Sequence, residues 1–331
     1  MVEENPDGHP AVDAWLALDS GNSRPAEIHA LYAAKLARKK NKNKRKSAVY
    51  RLDCPGHGES VIVAKMCAPA TAALESKIYE KILPELPISS LRYYGHVTQD
   101  DRHWIFIENA GGMELDVNND THLELATRWL AAMHTSTTQL DTLSQLPDRG
   151  PPYYLSQLHS ARQRMKDCTS NSALGPADFE VLEKFCIQAE LLESRWSEIE
   201  SFCETIPASL VHNDFVSKNV HICATDAGQK LFVFDWEMSG KGTPAVDLYW
   251  MFQKAPDTTI TRYWNHLKGF NSNIGLQDIE HLAILGVAFR VLDAVEWASY
   301  DFLTTSPHKK VLWISRYTNR LKRAFHALGW S

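Results

Sequence analysis

The segment Leu210-Val-His-Asn-Asp-Phe-Val-Ser-Lys-Asn-Val220 places His212, Asp214 and Asn219 at fixed offsets, and Leu231-Phe-Val-Phe-Asp-Trp-Glu237 follows closely. An aspartate on a tight loop after an apolar strand can accept the proton of a hydroxyl group. Five residues on, the Asn219 amide oxygen can turn toward a hard cation. Asp235, which ends the apolar run LFVF, can hold Mg2+ against phosphate oxygens. A polar turn between two strands would explain His212 and Asp214 alone. Adding Asn219 and a strand that ends in Asp235 makes the segment a base-and-metal site.

The offsets are those of kinase catalytic loops, H-x-D-x-x-x-x-N. Together with VFDWE (233–237) and Gly240-Lys-Gly-Thr-Pro-Ala-Val-Asp-Leu248, they resemble the aminoglycoside phosphotransferase and choline kinase group of small-molecule kinases. The resemblance runs in order of elements over about 60 to 300 and is specific within 210–248. It implies an α+β, protein-kinase-like bilobal fold, with a small sheet lobe carrying one helix and a larger, mainly helical lobe. It makes Asp214 the catalytic base, Asn219 and Asp235 the metal ligands, and His212 and Asp247 supports of the loop. ATP, with GTP as the alternative, and Mg2+ are the implied cofactors. Where protein kinases have Arg between the His and the Asp, this chain has Asn213, which favours activity without a phosphorylated activation loop. A protein kinase is the runner-up, disfavoured because DWE stands where D-F-G would and no A-P-E follows. A nucleotide-binding module without turnover would lack the base, which this chain retains.

A kinase of this kind needs a lysine on a central strand and a helix carboxylate to orient it. Lys65 in VIVAKM fits, since a charge inside so apolar a strand needs a partner. Glu75 and Glu80 compete for that role. At about 100° per residue, Leu74, Ile78, Tyr79, Ile82 and Leu83 form a face centred near Glu75 and roughly 150° from Glu80. Glu75 is therefore expected to point inward and Glu80 to solvent. The segment Glu108-Asn-Ala-Gly-Gly-Met113 resembles a hinge whose backbone, from Glu108 to Ala110, would read an adenine edge; a plain strand-to-loop exit reads nearly as well. There is no Walker A or GxGxxG sequence. Ser47 and nearby backbone amides are expected to cover phosphate, with the basic tract 38–46 either enriching anionic nucleotide or forming a solvated hairpin tip.

On the acceptor side, Trp236, Glu237, Asp293, Glu296, Trp297 and Asp301 are the expected lining. Asp293, Glu296 and Trp297 stand at i, i+3 and i+4 on one helix, a face suited to an amine; surface or core roles are the plain alternative. The acceptor is then the hydroxyl of a small polar or cationic molecule such as an aminoglycoside, choline or an amino alcohol. His134 in LAAMH reads as structural.

These residues must be positioned by a chain of 331 residues, 44% apolar and 23% charged, long enough for two lobes. The boundaries read as a nucleotide lobe, 1–113, and a catalytic and acceptor lobe, 114–331. Strands are expected at Ala48–Leu52, Val61–Met66, Leu91–Thr98 and His103–Glu108, with a helix from Thr71 to Leu83 stopped by Pro84 and a short amphipathic segment from Ala11 to Leu18. Long helices are expected near 121–135, 178–202, 277–303 and 308–327, broken by a β-rich stretch from Leu210 to Trp236. The net charge of −5 conceals seven basic residues in 38–46; the rest has 28 bases against 40 acids, a balance of −12 that argues against a broad nucleic-acid surface, while a nucleic-acid contact through the tract alone stays the alternative. Six cysteines without a CxxC suggest neither zinc nor a disulfide ladder, only small buried side chains. The longest apolar stretch, Ala283 to Phe289, is far below the roughly 18 residues that span a bilayer. With MVEENPDGHP unlike a secretory signal, a cytoplasmic protein is expected.

Overall fold

The computed structural model describes residues 2–19, 21, 23–33, 47–54, 61–168, 171–226, 228–269, 274–300 and 307–330. The basic tract 38–46 and Asp301 lie outside the described residues. The chain divides into two compact units, Met1–Leu115 with Ser217–Glu237, and Asp116–Val216 with Met238–Ser331. The division departs from a simple break near 113, because the β-hairpin that follows the His212–Asn219 loop returns to the first unit. The catalytic-loop motif is thus split, with Asp214 in the second unit and Asn219 and Asp235 in the first.

The first unit is built on a six-stranded antiparallel sheet in the order β1-β2-β3-β4-β6-β5. Its strands are β1 (Val2–Glu4), β2 (Glu27–Ala33), β3 (Ala48–Asp53), β4 (Val61–Cys67), β5 (Tyr93–Gln99) and β6 (Arg102–Glu108). β1 and β2 were not expected. β1 is a three-residue edge strand with acidic residues, the pattern that keeps an edge from pairing further and that also hides it in a sequence. Between β1 and β2, α1 (Pro10–Leu18) starts at His9, whose ring nitrogen accepts the Ala11 N–H. Its apolar stripe of Ala11, Val12, Ala14 and Trp15 packs on Ile28, Leu52, Ile62, Trp104 and Phe106 of the sheet. The helix expected at Thr71–Leu83 is α-helical only as α2 (Pro69–Lys77). It then widens into a π turn at Ile78–Ile82, closed by Leu83 N–H to the Ile78 carbonyl, before a 3-10 turn runs through Pro84. Pro84 has no N–H to continue an α ladder, so the chain leaves by these two irregular turns. A second, three-stranded sheet joins β7 (Met113–Glu114) to the hairpin that returns from the other unit.

The second unit is helical: α3 (Asp120–Thr137), α4 (Pro151–Asp167), α5 (Pro176–Ser194), α6 (Trp196–Glu204), then, after a short β8 (Ser209–Val211), α7 (Ala245–Gln253), α8 (Thr258–Leu267), α9 (Leu276–Ser299) and α10 (Pro307–Ala327). The helix expected over 178–202 is two helices, parted at Arg195. α9 is the inner helix, which explains its long apolar stretch. It crosses α7 so closely that a Cβ on Gly286 would stand 1.9 Å from the Ala245 carbonyl oxygen. All six cysteines are free thiols; Cys54, Cys67, Cys168 and Cys203 are buried, whereas Cys186 and Cys223 are half-buried. No described helix is long and apolar enough to cross a membrane.

Candidate functional site

In the first unit, Lys65 lies on the central strand β4, opposite Val49 of β3 and Ile105 of β6. Its Nζ donates to Glu75 Oε1 at 2.5 Å and to Asp235 Oδ1 at 2.5 Å, and lies 3.7 Å from Glu237 Oε2. Glu75 is only 1% exposed, whereas Glu80 is exposed and pairs with Lys81 at the surface. The inward and outward orientations follow from helical spacing, because the π turn begins only after Glu75. Burial pulls the Lys65 ammonium down, but the charges of Glu75, Asp235 and Glu237 outweigh it and hold it charged above its ordinary range. Burial pushes the Glu75 carboxyl up, opposed by Lys65.

The hairpin of β9 (Val220–Thr225) and β10 (Gly228–Val233) brings Asn219 and Asp235 to one end. Its register pairs Val220 with Val233, and the Phe234 N–H donates to the Asn219 carbonyl at 3.1 Å, so Asn219 stands opposite the residue before Asp235. Asp235 has φ of 70°, a left-handed conformation that aspartate tolerates better than most side chains and that turns the chain out of the strand. Glu75, Asp235 and Glu237 each offer an oxygen, all within 4.8 Å of one another. An all-oxygen set of this kind suits a hard divalent cation such as Mg2+ rather than zinc.

Glu237 therefore belongs with the lysine and the acids of the first unit, not with an acceptor lining. Trp236 is fully buried, a core residue of that unit. A ring so enclosed cannot line an acceptor site. At the expected hinge, Glu108 N–H is taken by the Arg92 carbonyl, Asn109 N–H by Val61, and the Ala110 carbonyl by the Cys223 thiol. The Ala110 N–H has no partner among the described residues. Gly112, at φ of 64°, passes so close to β9 that a Cβ would stand 2.3 Å from the Ile222 carbonyl oxygen. Ser47 is half-buried, one residue before β3.

In the second unit, Asp247 at the start of α7 is completely buried and holds the loop after β8: its two carboxylate oxygens accept His212 N–H and Asn213 N–H, each at 2.7 Å. His134 Nε2 lies 3.3 Å from the same carboxylate, and its Nδ1 is 2.9 Å from the Tyr263 hydroxyl. His212 Nδ1 accepts Asp214 N–H at 3.2 Å. Asn213 takes φ of 65° and accepts a 2.6 Å hydrogen bond from the Tyr154 hydroxyl, whose ring stacks on Phe289. The loop is therefore over-determined by buried bonds, which is how a strained backbone conformation persists.

Asp214, at the end of these supports, receives a 2.7 Å bond from Arg290 on α9. Arg290 escaped the sequence reading, although a lone guanidinium in the run AILGVAFRVLDAV was itself a signal that a buried partner existed. On α9 the three residues expected to bind an amine each have partners within the chain. Asp293 is buried and accepts the Tyr153 hydroxyl, Glu296 pairs with Arg164 at 2.7 Å, and Trp297 stacks on Trp313 with Lys310 3.6 Å above its ring. Glu296 and Trp297 thus each hold one of the protein's own cations, and Asp293 is bonded by a hydroxyl. Burial raises Asp293 to about 6, opposed by the Tyr153 hydrogen bond and Arg290.

Residues 64–271, well over half the chain, match the phosphotransferase enzyme family. The chain belongs to that family, and its class is that of small-molecule kinases. The fold is shared with solved structures at low identity. One is spectinomycin phosphotransferase APH(9)-Ia in complex with ADP and spectinomycin, 11% identical with a TM-score of 0.59 over 92% of this chain and 93% of that one. Choline kinase from Cryptosporidium parvum Iowa II gives 0.60 at 10% identity, covering 92% and 91%. The GDP and kanamycin complex of APH(2")-IIia gives 0.60 at 10% identity, covering 95% and 98%. No curated protein matches the chain in sequence.

Proposed function

We propose that this chain transfers the γ-phosphoryl group of ATP, or of GTP, to a hydroxyl of a small polar acceptor. The observation that carries the reading is Lys65 bonded at once to Glu75 and Asp235, a lysine fixed on a central strand by a buried helix carboxylate. The ADP and GDP complexes of proteins with the same fold support a nucleotide as donor. Lys65 neutralises phosphate charge, Glu75 keeps its ammonium aimed, and Asp235, bonded to Lys65, is one of the residues that would hold a divalent cation. In the Glu108 to Ala110 stretch the Ala110 N–H is left to meet the base, and Ser47, just before β3, would help cover the phosphates. Asn219 and Asp235, with Glu237 beside them, would hold Mg2+, which supplies charge neutralisation to the phosphates.

Asp214 accepts the acceptor's hydroxyl proton. Its backbone is fixed by the His212 ring and by Asp247, so the carboxylate is aimed before the acceptor arrives. Phosphoryl transfer depends mainly on such positioning and electrostatics. The test is an ATP-consumption screen against hydroxylated acids, sugars, amines and antibiotics, with Asp214→Asn as control. A compound that raises ADP release with the native protein and not with the control supports the reading. Equal release from both proteins for every compound would overturn it.

A further inference from the structure

α7, α9 and α10 of the second unit enclose a small cavity of about 90 Å³ lined by Arg290, Arg320, Tyr249, Tyr317 and Gln253, with apolar side chains and no carboxylate completing its wall. Arg290 links this cavity to Asp214 through its 2.7 Å bond. Arg320 lies 5.7 Å from the Tyr317 ring and has no carboxylate within ion-pair distance among the described residues. Lys254 follows Gln253 at the end of α7, likewise without an acidic partner there. It is held below its ordinary range by burial and then by the nearby Arg320 and Arg290 guanidiniums. Burial opposes the Arg290 charge, but Asp214, Tyr249, Asp293 and Tyr317 outweigh it and hold Arg290 above its ordinary range.

Two guanidiniums, two phenols and an amide around so small a space form a receptor for an anion. The space is large enough for a carboxylate or a phosphate head. We infer that the acceptor is an acid: a hydroxylated carboxylate or phosphate ester whose anionic group binds Arg290 and Arg320 while its hydroxyl reaches Asp214. The inference rests on the proposed phosphotransferase reading for the role of Asp214, and on the cavity alone for the anion. The same cations repel amines, so cationic acceptors are selected against.

Ligand-observed NMR titration of the full chain without nucleotide, using glycerate, glycerol 3-phosphate, glycerol and choline, reads the anion site apart from turnover. At least one acid should bind tenfold or more tightly than glycerol, and choline more weakly than either acid. Arg320→Gln should remove most of that gap, Arg320→Lys should retain part of it, and Asp214→Asn should tighten acid binding by releasing Arg290. Preference for glycerate over glycerol 3-phosphate, or the reverse, identifies the anion. Equal binding of glycerol, choline binding as tight as the acids, binding of neither acid, or a gap unchanged in a folded Arg320→Gln protein overturns the inference. Acid binding without phosphoryl transfer to any hydroxylated compound would refute the phosphotransferase reading and keep the anion site. Transfer to neutral or cationic acceptors without acid preference would do the reverse.

Discussion

Lys65→Met removes the cation shared by three carboxylates. Lys65 is 11% exposed and Glu75 1%, so neither charge is well screened by water. Breaking a buried pair by deleting one partner costs about 3–5 kcal/mol, because the surviving charge is stranded. Here the stranded group is a carboxylate, and a proton can replace the lost ammonium. Burial already pushes Glu75 up, and losing Lys65 removes the influence that opposes this. The folded pKa of Glu75 then lies well above its unfolded value. A carboxyl shifted in this direction destabilises the fold most above its folded pKa, and the penalty shrinks as pH falls toward the unfolded value. Proton uptake recovers up to about 1.4 kcal/mol per pH unit. Urea unfolding of the native and Lys65→Met proteins at pH 8 and pH 5 should therefore give a stability difference of about 3–5 kcal/mol at pH 8, most of which disappears at pH 5. The same difference at both pH values would refute the reasoning.

Asp293 follows the same sign: its folded carboxyl, raised to about 6, favours the fold at low pH and loses that contribution as pH rises through 6. Asp293→Asn should thus gain about 2–3 kcal/mol over the native protein between pH 4 and pH 8, read from urea midpoints. Gly286→Ala opposes helix propensity to packing. Propensity alone would add about 1 kcal/mol, but the new Cβ meets backbone at 1.9 Å and should cost about 3 kcal/mol in thermal or urea unfolding. Asp247→Asn leaves one of the buried His212 and Asn213 N–H groups without its acceptor, for a loss of about 1–3 kcal/mol and a fall in kcat larger than any change in nucleotide KM.

The elements best legible in the sequence were those whose partners lie on one periodic surface. Glu75 and Glu80 separate on helical spacing alone, and the VIVAKM strand identifies itself by its apolar neighbours. Asp214, Asn219 and Asp235 were legible as a spacing, but a spacing does not reveal that the chain changes compact unit between Asp214 and Asn219. The errors fall where long-range partners decide. Trp236 and Glu237 are adjacent, yet one enters the core of its unit and the other joins the Lys65 cluster, because a left-handed residue at 235 turns the chain there. Glu296 and Trp297 share a helix face as expected, but Arg164, far away in sequence, and Lys310, on the next helix, take it. Arg290 was missed for the same reason: its partner Asp214 is 76 residues away.

Single-turnover phosphoryl transfer from ATP to an acceptor from the screen, followed by 31P NMR for the native and Asp214→Asn proteins, tests the central claim most directly. Loss of a positioned base at this step is expected to slow transfer by about 10²–10⁴-fold, with nucleotide affinity unchanged because Asp214 takes no part in holding the phosphates. Transfer by Asp214→Asn at the native rate would contradict the account.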